Sequence, residues 1–164
     1  MSRAFKRLNM SDGERSVFLA YCAVAMFGAG LSFVIINGLG GGETVLRKFT
    51  AYDLWSMVAG TVGAPAGLYI SRRWFGGSGI IGWARMLVGV PCVAFFGGIA
   101  GGTLALPFYG TMFGPFSVAM TFWAMPLLAL FFVLMLVATH MLFAVYHRER
   151  DTLFRMPPDD GIPA

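Results

Sequence analysis

The sequence predicts an all-α integral membrane protein, an antiparallel bundle of four transmembrane helices folded as two in-out-in hairpins. Three observations carry that prediction. Hydrophobic residues make up 57% of the 164 and charged residues only 12%, against about a quarter charged in a soluble domain. Four segments without Lys, Arg, Asp or Glu have about the length that a hydrocarbon core of roughly 30 Å demands. The basic residues behind the +4 net charge are gathered in short patches between these segments. Such patches flank membranes rather than form a nucleic-acid face, so no nucleic-acid partner is expected.

The first span is expected over 17–38, after a flexible tail over 1–10. Basic residues followed by an apolar run imitate a secretory signal. This run is too long for an apolar signal region of roughly 7–15 residues, and its only Ala-x-Ala site, Ala23 to Ala25, falls in the middle, so the span reads as uncleaved. Ser11 and Glu14 in "SDGE" have capping-box spacing, which satisfies orphaned amide donors at a helix start. The connection "NGLGGGETVLRK" lacks the full phosphate-loop spacing and its Lys-Ser/Thr ending, and no strand precedes it. It reads as a flexible hairpin connection with a short interfacial helix over 44–52, in which Glu43 and Asp53 are solvated or capping acids.

The second span, 54–70, opens on another capping box, Thr50 to Asp53, and Pro65 near its centre predicts a kink. The third covers 86–106. The fourth, 116–146, exceeds a straight crossing, so its first turns around Pro126 lie in the interface or tilt. The residues 156–164 are Pro-rich and acidic and read as a flexible tail.

Orientation follows the positive charge, which is retained on the cytoplasmic side. Arg3, Lys6, Arg7 and Arg15 precede span one, Arg72, Arg73 and Arg85 lie between spans two and three, and Arg148, Arg150 and Arg155 follow span four. Only Arg47 and Lys48 oppose them. Both ends are thus expected in the cytoplasm, and the protein in a bacterial cytoplasmic (inner) membrane. Trp55 and Trp123 then fall at the outer headgroup level, and Trp74 and Trp83 at the inner one. Aligning Cys22 with Cys92 also aligns Gly28 with Gly98, which raises a duplication of the hairpin.

The strongest sub-pattern is glycine at four-residue spacing: Gly63 with Gly67, Gly97 with Gly101, and Gly98 with Gly102. In lipid such pairs let helix backbones approach closely, within the chain's own bundle or against a partner. The uncharged, Pro- and Gly-rich stretch 107–115 reads as a turn at the outer end. Its Leu106, Phe108, Tyr109, Met112 and Phe113 are expected to cap the bundle there or to meet a partner.

His140 is a candidate functional residue because an ionisable group inside a span is costly. A proton relay or haem ligation competes with a structural reading, in which a neutral ring bonds a backbone carbonyl or the Thr139 hydroxyl. Cys22 and Cys92 read as small core residues. No Cys/His metal spacing, Ser-His-Asp set or mid-membrane carboxylate is present, so no metal, cofactor or catalytic activity is expected. The expected function is therefore a non-catalytic accessory or assembly subunit of a larger membrane complex, with the lipid bilayer and other membrane subunits, or itself, as partners. The alternative is a homo-oligomeric channel or carrier for a small neutral or weakly polar solute, with Pro65, Pro91 and His140 near its path.

Overall fold

The computed structural model describes residues 10–39 and 49–154. The Gly-rich connection from Gly40, with Glu43, Arg47 and Lys48, lies outside the described residues, as do Arg3, Lys6, Arg7, Arg155 and the tail after Met156. Among the described residues there are five α-helices and no strand: α1 (Asp12–Leu39), α2 (Ala51–Ser71), α3 (Gly79–Ala105), α4 (Gly110–Ala124) and α5 (Pro126–Phe154). Three of them, α1, α3 and α5, are long and apolar enough to cross a membrane.

The fifth helix arises because the stretch expected as one span is divided. Met125, with φ −126° and ψ 76°, leaves the helical region between α4 and α5. The residue before a proline is pushed from the α region, and Pro126 then opens α5, where its missing N–H costs nothing. The expected turn over 107–115 is likewise mostly helix. Only Leu106 to Tyr109 reverse the chain, and α4 starts at Gly110. Pro115 lies inside α4, and Pro65 and Pro91 lie inside α2 and α3.

Both capping boxes form. At α1 the Ser11 amide donates to Glu14 Oε2 (3.1 Å) and the Glu14 amide to Ser11 Oγ (3.2 Å). At α2 the Thr50 amide donates to Asp53 Oδ2 (2.7 Å) and the Asp53 amide to Thr50 Oγ1 (3.3 Å). Asp53 is buried, an acid at a helix start, where the macrodipole favours it.

α2 lies between α1 and α3 and antiparallel to both, as the facing pairs Gly28/Gly60, Gly63/Gly101 and Gly67/Gly97 show. α4 folds back along α3, and α5 packs on α1. One end of the bundle, here termed basal, gathers Gly13, Gly76, His147 and Glu149; the other, apical, carries the α3–α4 turn. A side-chain core of Ala20, Val24, Leu68, Phe75, Met86, Val93, Phe132, Leu136 and Phe143 joins α1, α3 and α5, with Leu68 from α2 and Phe75 from the α2–α3 link. Most other large apolar side chains, such as Ile80, Leu87 and Leu127, point outward. That distribution suits a chain whose surroundings are as apolar as its interior.

Candidate interaction surfaces

Glycine decides where the helices meet, because an absent Cβ lets one backbone lie on another. On α2, a Cβ at Gly63 would come within 2.5 Å of Gly101 Cα. One at Gly67 would come within 2.5 Å of the Gly97 nitrogen and 2.6 Å of the Val93 carbonyl oxygen. The reverse substitutions are looser: a Cβ at Gly97 or Gly101 meets its nearest α2 atom at 3.4 Å, an ordinary contact. The α2–α3 seam therefore depends on the α2 glycines more than on their partners.

Gly98 and Gly102 face away from that seam, since one residue turns the helix by about 100°. They meet α4, where a Cβ at Gly98 would come within 2.9 Å of the Pro115 backbone and one at Gly102 would land on the Gly110 carbonyl oxygen. Gly110 and Gly114 reciprocate on the carbonyls of Gly102 and Gly98. The Thr103 and Thr111 hydroxyls close the same pair at 2.8 Å. The sequence reading did not reach Gly110 and Gly114, although they carry the same four-residue spacing, because their stretch reads as a turn. It also missed the contact of Gly28 with Gly60, which face each other between α1 and α2 with Ser32 and Ala64, rather than a second glycine, four residues on.

His140 sits on α5 at 3% exposure. Its Nδ1 accepts the Gly76 backbone N–H at 3.1 Å, so that nitrogen carries no proton and the neutral ring keeps its proton on Nε2. The ring thus accepts from the Gly76 amide and also makes a backbone hydrogen bond with Gly77, which fits the expected bond to a backbone carbonyl. Its centroid lies 5.1 Å from that of Trp83 and 6.4 Å from that of Phe75. Gly76, at φ +83°, needs a conformation that side chains rarely adopt, and a Cβ there would also meet the His147 ring. His140 thus ties α5 to the α2–α3 link.

Nearby, Glu149 reaches from α5 to the start of α1, accepting from the Gly13 amide at 2.5 Å and the Ser11 hydroxyl at 3.1 Å. A carboxylate there satisfies orphaned donors and meets the positive end of the helix dipole. Cys22 and Cys92 are free thiols, each half-buried.

At the apical end, Trp55 Nε1 donates to the Leu104 carbonyl at 3.1 Å, joining α2 to α3. The turn residues Leu106, Phe108, Tyr109, Met112 and Phe113 are all exposed, Phe108 at 92% and Met112 at 84%. Phe108 has φ +71°, a left-handed conformation that costs a residue with a Cβ about 1–2 kcal/mol.

Between all five helices lies a half-open pocket of about 110 Å³. Gly98 and Gly102 line it together with Val24, Phe27, Leu31 and Met135, and Ser32 and Ser117 bring the only hydroxyls. Ser32 is already committed, donating to the Ser56 carbonyl at 2.7 Å. Compared with known proteins, the chain matches no family model, no curated protein and no solved structure.

Proposed function

We propose that the protein crosses a bacterial cytoplasmic membrane four times with both ends inside, and serves as a non-catalytic accessory or assembly subunit of a larger membrane complex. Four crossings are supported by α2, whose 21 residues span about 31 Å at 1.5 Å per residue. Lying antiparallel between two apolar helices that are long enough to cross, α2 is packed along them over most of its own length. The basic residues described at the basal end, Arg15, Arg72, Arg73, Arg148 and Arg150, favour that end as the cytoplasmic one.

The observation that carries the subunit reading is the apical turn. Apolar side chains on the flanks of a membrane bundle meet lipid tails and need no other partner. Phe108 lies just past the end of α3, which this reading puts outside the tails, with its ring exposed and its backbone in the left-handed region. Leaving such a ring in water forgoes about 1.5–3 kcal/mol of burial. Strain and exposure together suit a docking knob, and Tyr109, Met112 and Phe113 widen the same patch.

Native purification in mild detergent tests this reading. Stoichiometric recovery of an unrelated membrane protein is expected, and the double substitution Phe108→Ser and Phe113→Ser should abolish it while leaving the chain folded. Recovery of a lone symmetric oligomer that makes liposomes leaky to small solutes would overturn the subunit reading in favour of a channel.

A further inference from the structure

The link between α2 and α3 runs back along the start of α3: Gly77 lies against Gly82, and Trp74 and Phe75 lie against Gly89. Arg85 sits on the stretch of α3 between those two contacts, while Arg72 and Arg73 open the link. All three arginines are exposed, so they share one basal patch. No Asp or Glu occurs between Asp53 and Glu149, and this part of the chain therefore brings no acid to balance them. The acids of the basal end are engaged on α1. Asp12 pairs with Arg15 at 3.7 Å, Glu14 caps its own helix, and Glu149 holds the Gly13 amide and the Ser11 hydroxyl. Among the described residues that leaves Asp151, on the last turns of α5.

The patch has the chemistry of a phosphate site. The Arg72 guanidinium stacks on the Tyr69 ring, its Cζ 4.3 Å from the centroid. A stacked guanidinium still presents its N–H groups at the edge, a planar fork that matches two oxygens of one phosphate. Apolar groups stand beside the charges: Ile80 is 89% exposed and Ile81 70%, with Trp83 half-exposed one turn on. A small aqueous anion would satisfy the arginines and leave both isoleucines in water. A phospholipid brings a phosphate together with hydrocarbon, and arginine and tryptophan side chains suit the boundary between the two. A headgroup with net negative charge fits best, because the ammonium of a zwitterionic one would face the same arginines.

We propose that the α2–α3 link and the first turns of α3 bind the headgroup phosphate of an anionic phospholipid through Arg72, Arg73 and Arg85. The proposal rests on the basal end lying at a membrane surface, and it is independent of the apical docking knob.

Native mass spectrometry tests it, with the full-length chain released from detergent micelles that hold equimolar phosphatidylglycerol and phosphatidylcholine. Phosphatidylglycerol is expected to be retained about tenfold over phosphatidylcholine. Arg72→Gln, Arg73→Gln and Arg85→Gln, all changes at exposed sites, should each lower that preference about fivefold. Arg15→Gln, which removes a basal charge already facing Asp12, should lower it by no more than about twofold. Thermal unfolding without added lipid should be the same for all four variants. Equal retention of the two lipids, or equal losses in Arg15→Gln and Arg85→Gln, would overturn the proposal. Displacement of phosphatidylglycerol by equimolar inorganic phosphate would overturn the choice of a lipid. Micelles leave both ends of the bundle accessible, so the result does not depend on which end faces the cytoplasm. Orientation is read separately: cleavage of a carboxy-terminal tag by protease added outside spheroplasts would overturn the cytoplasmic placement and leave headgroup binding standing.

Discussion

Helices α2, α3 and α4 meet backbone to backbone, through Gly63, Gly67, Gly97 and Gly101 on one side of α3 and Gly98, Gly102, Gly110 and Gly114 on the other. Helix α5 meets the rest through Phe132, Leu136, Phe143 and the His140 ring. Apolar association gains little inside lipid, so each region relies on another source of cohesion. The glycine region uses close van der Waals contact, which a single added carbon destroys. The α5 region uses interlocking side chains and a buried hydrogen bond, which tolerate exchange of shape but not loss of a polar partner.

Substitutions in the glycine region should break this contrast most strongly. Gly67→Ala and Gly110→Ala each force a carbon onto backbone atoms and should cost about 2–3 kcal/mol, the upper range for overpacking. Gly97→Ala, at ordinary contact distance, should be neutral or stabilise by up to about 1 kcal/mol through helix propensity. Unfolding in mixed detergent micelles ranks the three; equal losses in all of them would show that the seam is not directional.

On the α5 side, His140→Phe strands the buried Gly76 amide and should cost about 1–3 kcal/mol. His140→Asn, which retains an acceptor, should recover part of that loss. If Phe and Asn prove equivalent in the same unfolding assay, the ring acts by packing against Trp83 and Phe75 alone.

A smaller effect is expected at the basal clasp. Glu149→Ala removes the acceptor for the α1 start and should cost about 1 kcal/mol, within the range of lost N-caps. Amide exchange at Gly13 and Glu14 should rise more than exchange in the middle of α1. The smallest effect has the opposite sign: Phe108→Gly relieves the left-handed strain and should stabilise the isolated protein by up to about 1 kcal/mol. The same variant should lose the apical docking knob, so thermal stability and complex recovery should move in opposite directions.

The helical, membrane-suited character was legible in composition because the lack of charge is a property of whole segments. The capping boxes at Ser11 and Thr50 were legible because they depend on neighbours three residues apart. The glycine pairs on α2 and α3 were visible as spacing, but their partners were not. Spacing marks a face on one helix and says nothing of the facing backbone, so the inequality of Gly67 and Gly97 emerges only from the packed pair. Gly110 and Gly114 were hidden by Pro107 and Pro115, which imitate a long turn although Pro115 fits inside α4. The division at Met125 was missed for the converse reason: the apolar run continues through it, and hydropathy is blind to one residue leaving the helical region. His140 stood out as ionisable, yet its Gly76 partner lies on a distant loop that no local pattern connects to it.

The clasp from Glu149 to the first turn of α1 bears on the order in which the protein is made. α1 is synthesised well before Glu149, which follows Gly13 by 136 residues. Throughout elongation the start of α1 therefore has its own Ser11 and Glu14 contacts but lacks its most distant acceptor. α1 is thus completed by α5, and a chain halted before Glu149 carries an α1 start that is incompletely satisfied.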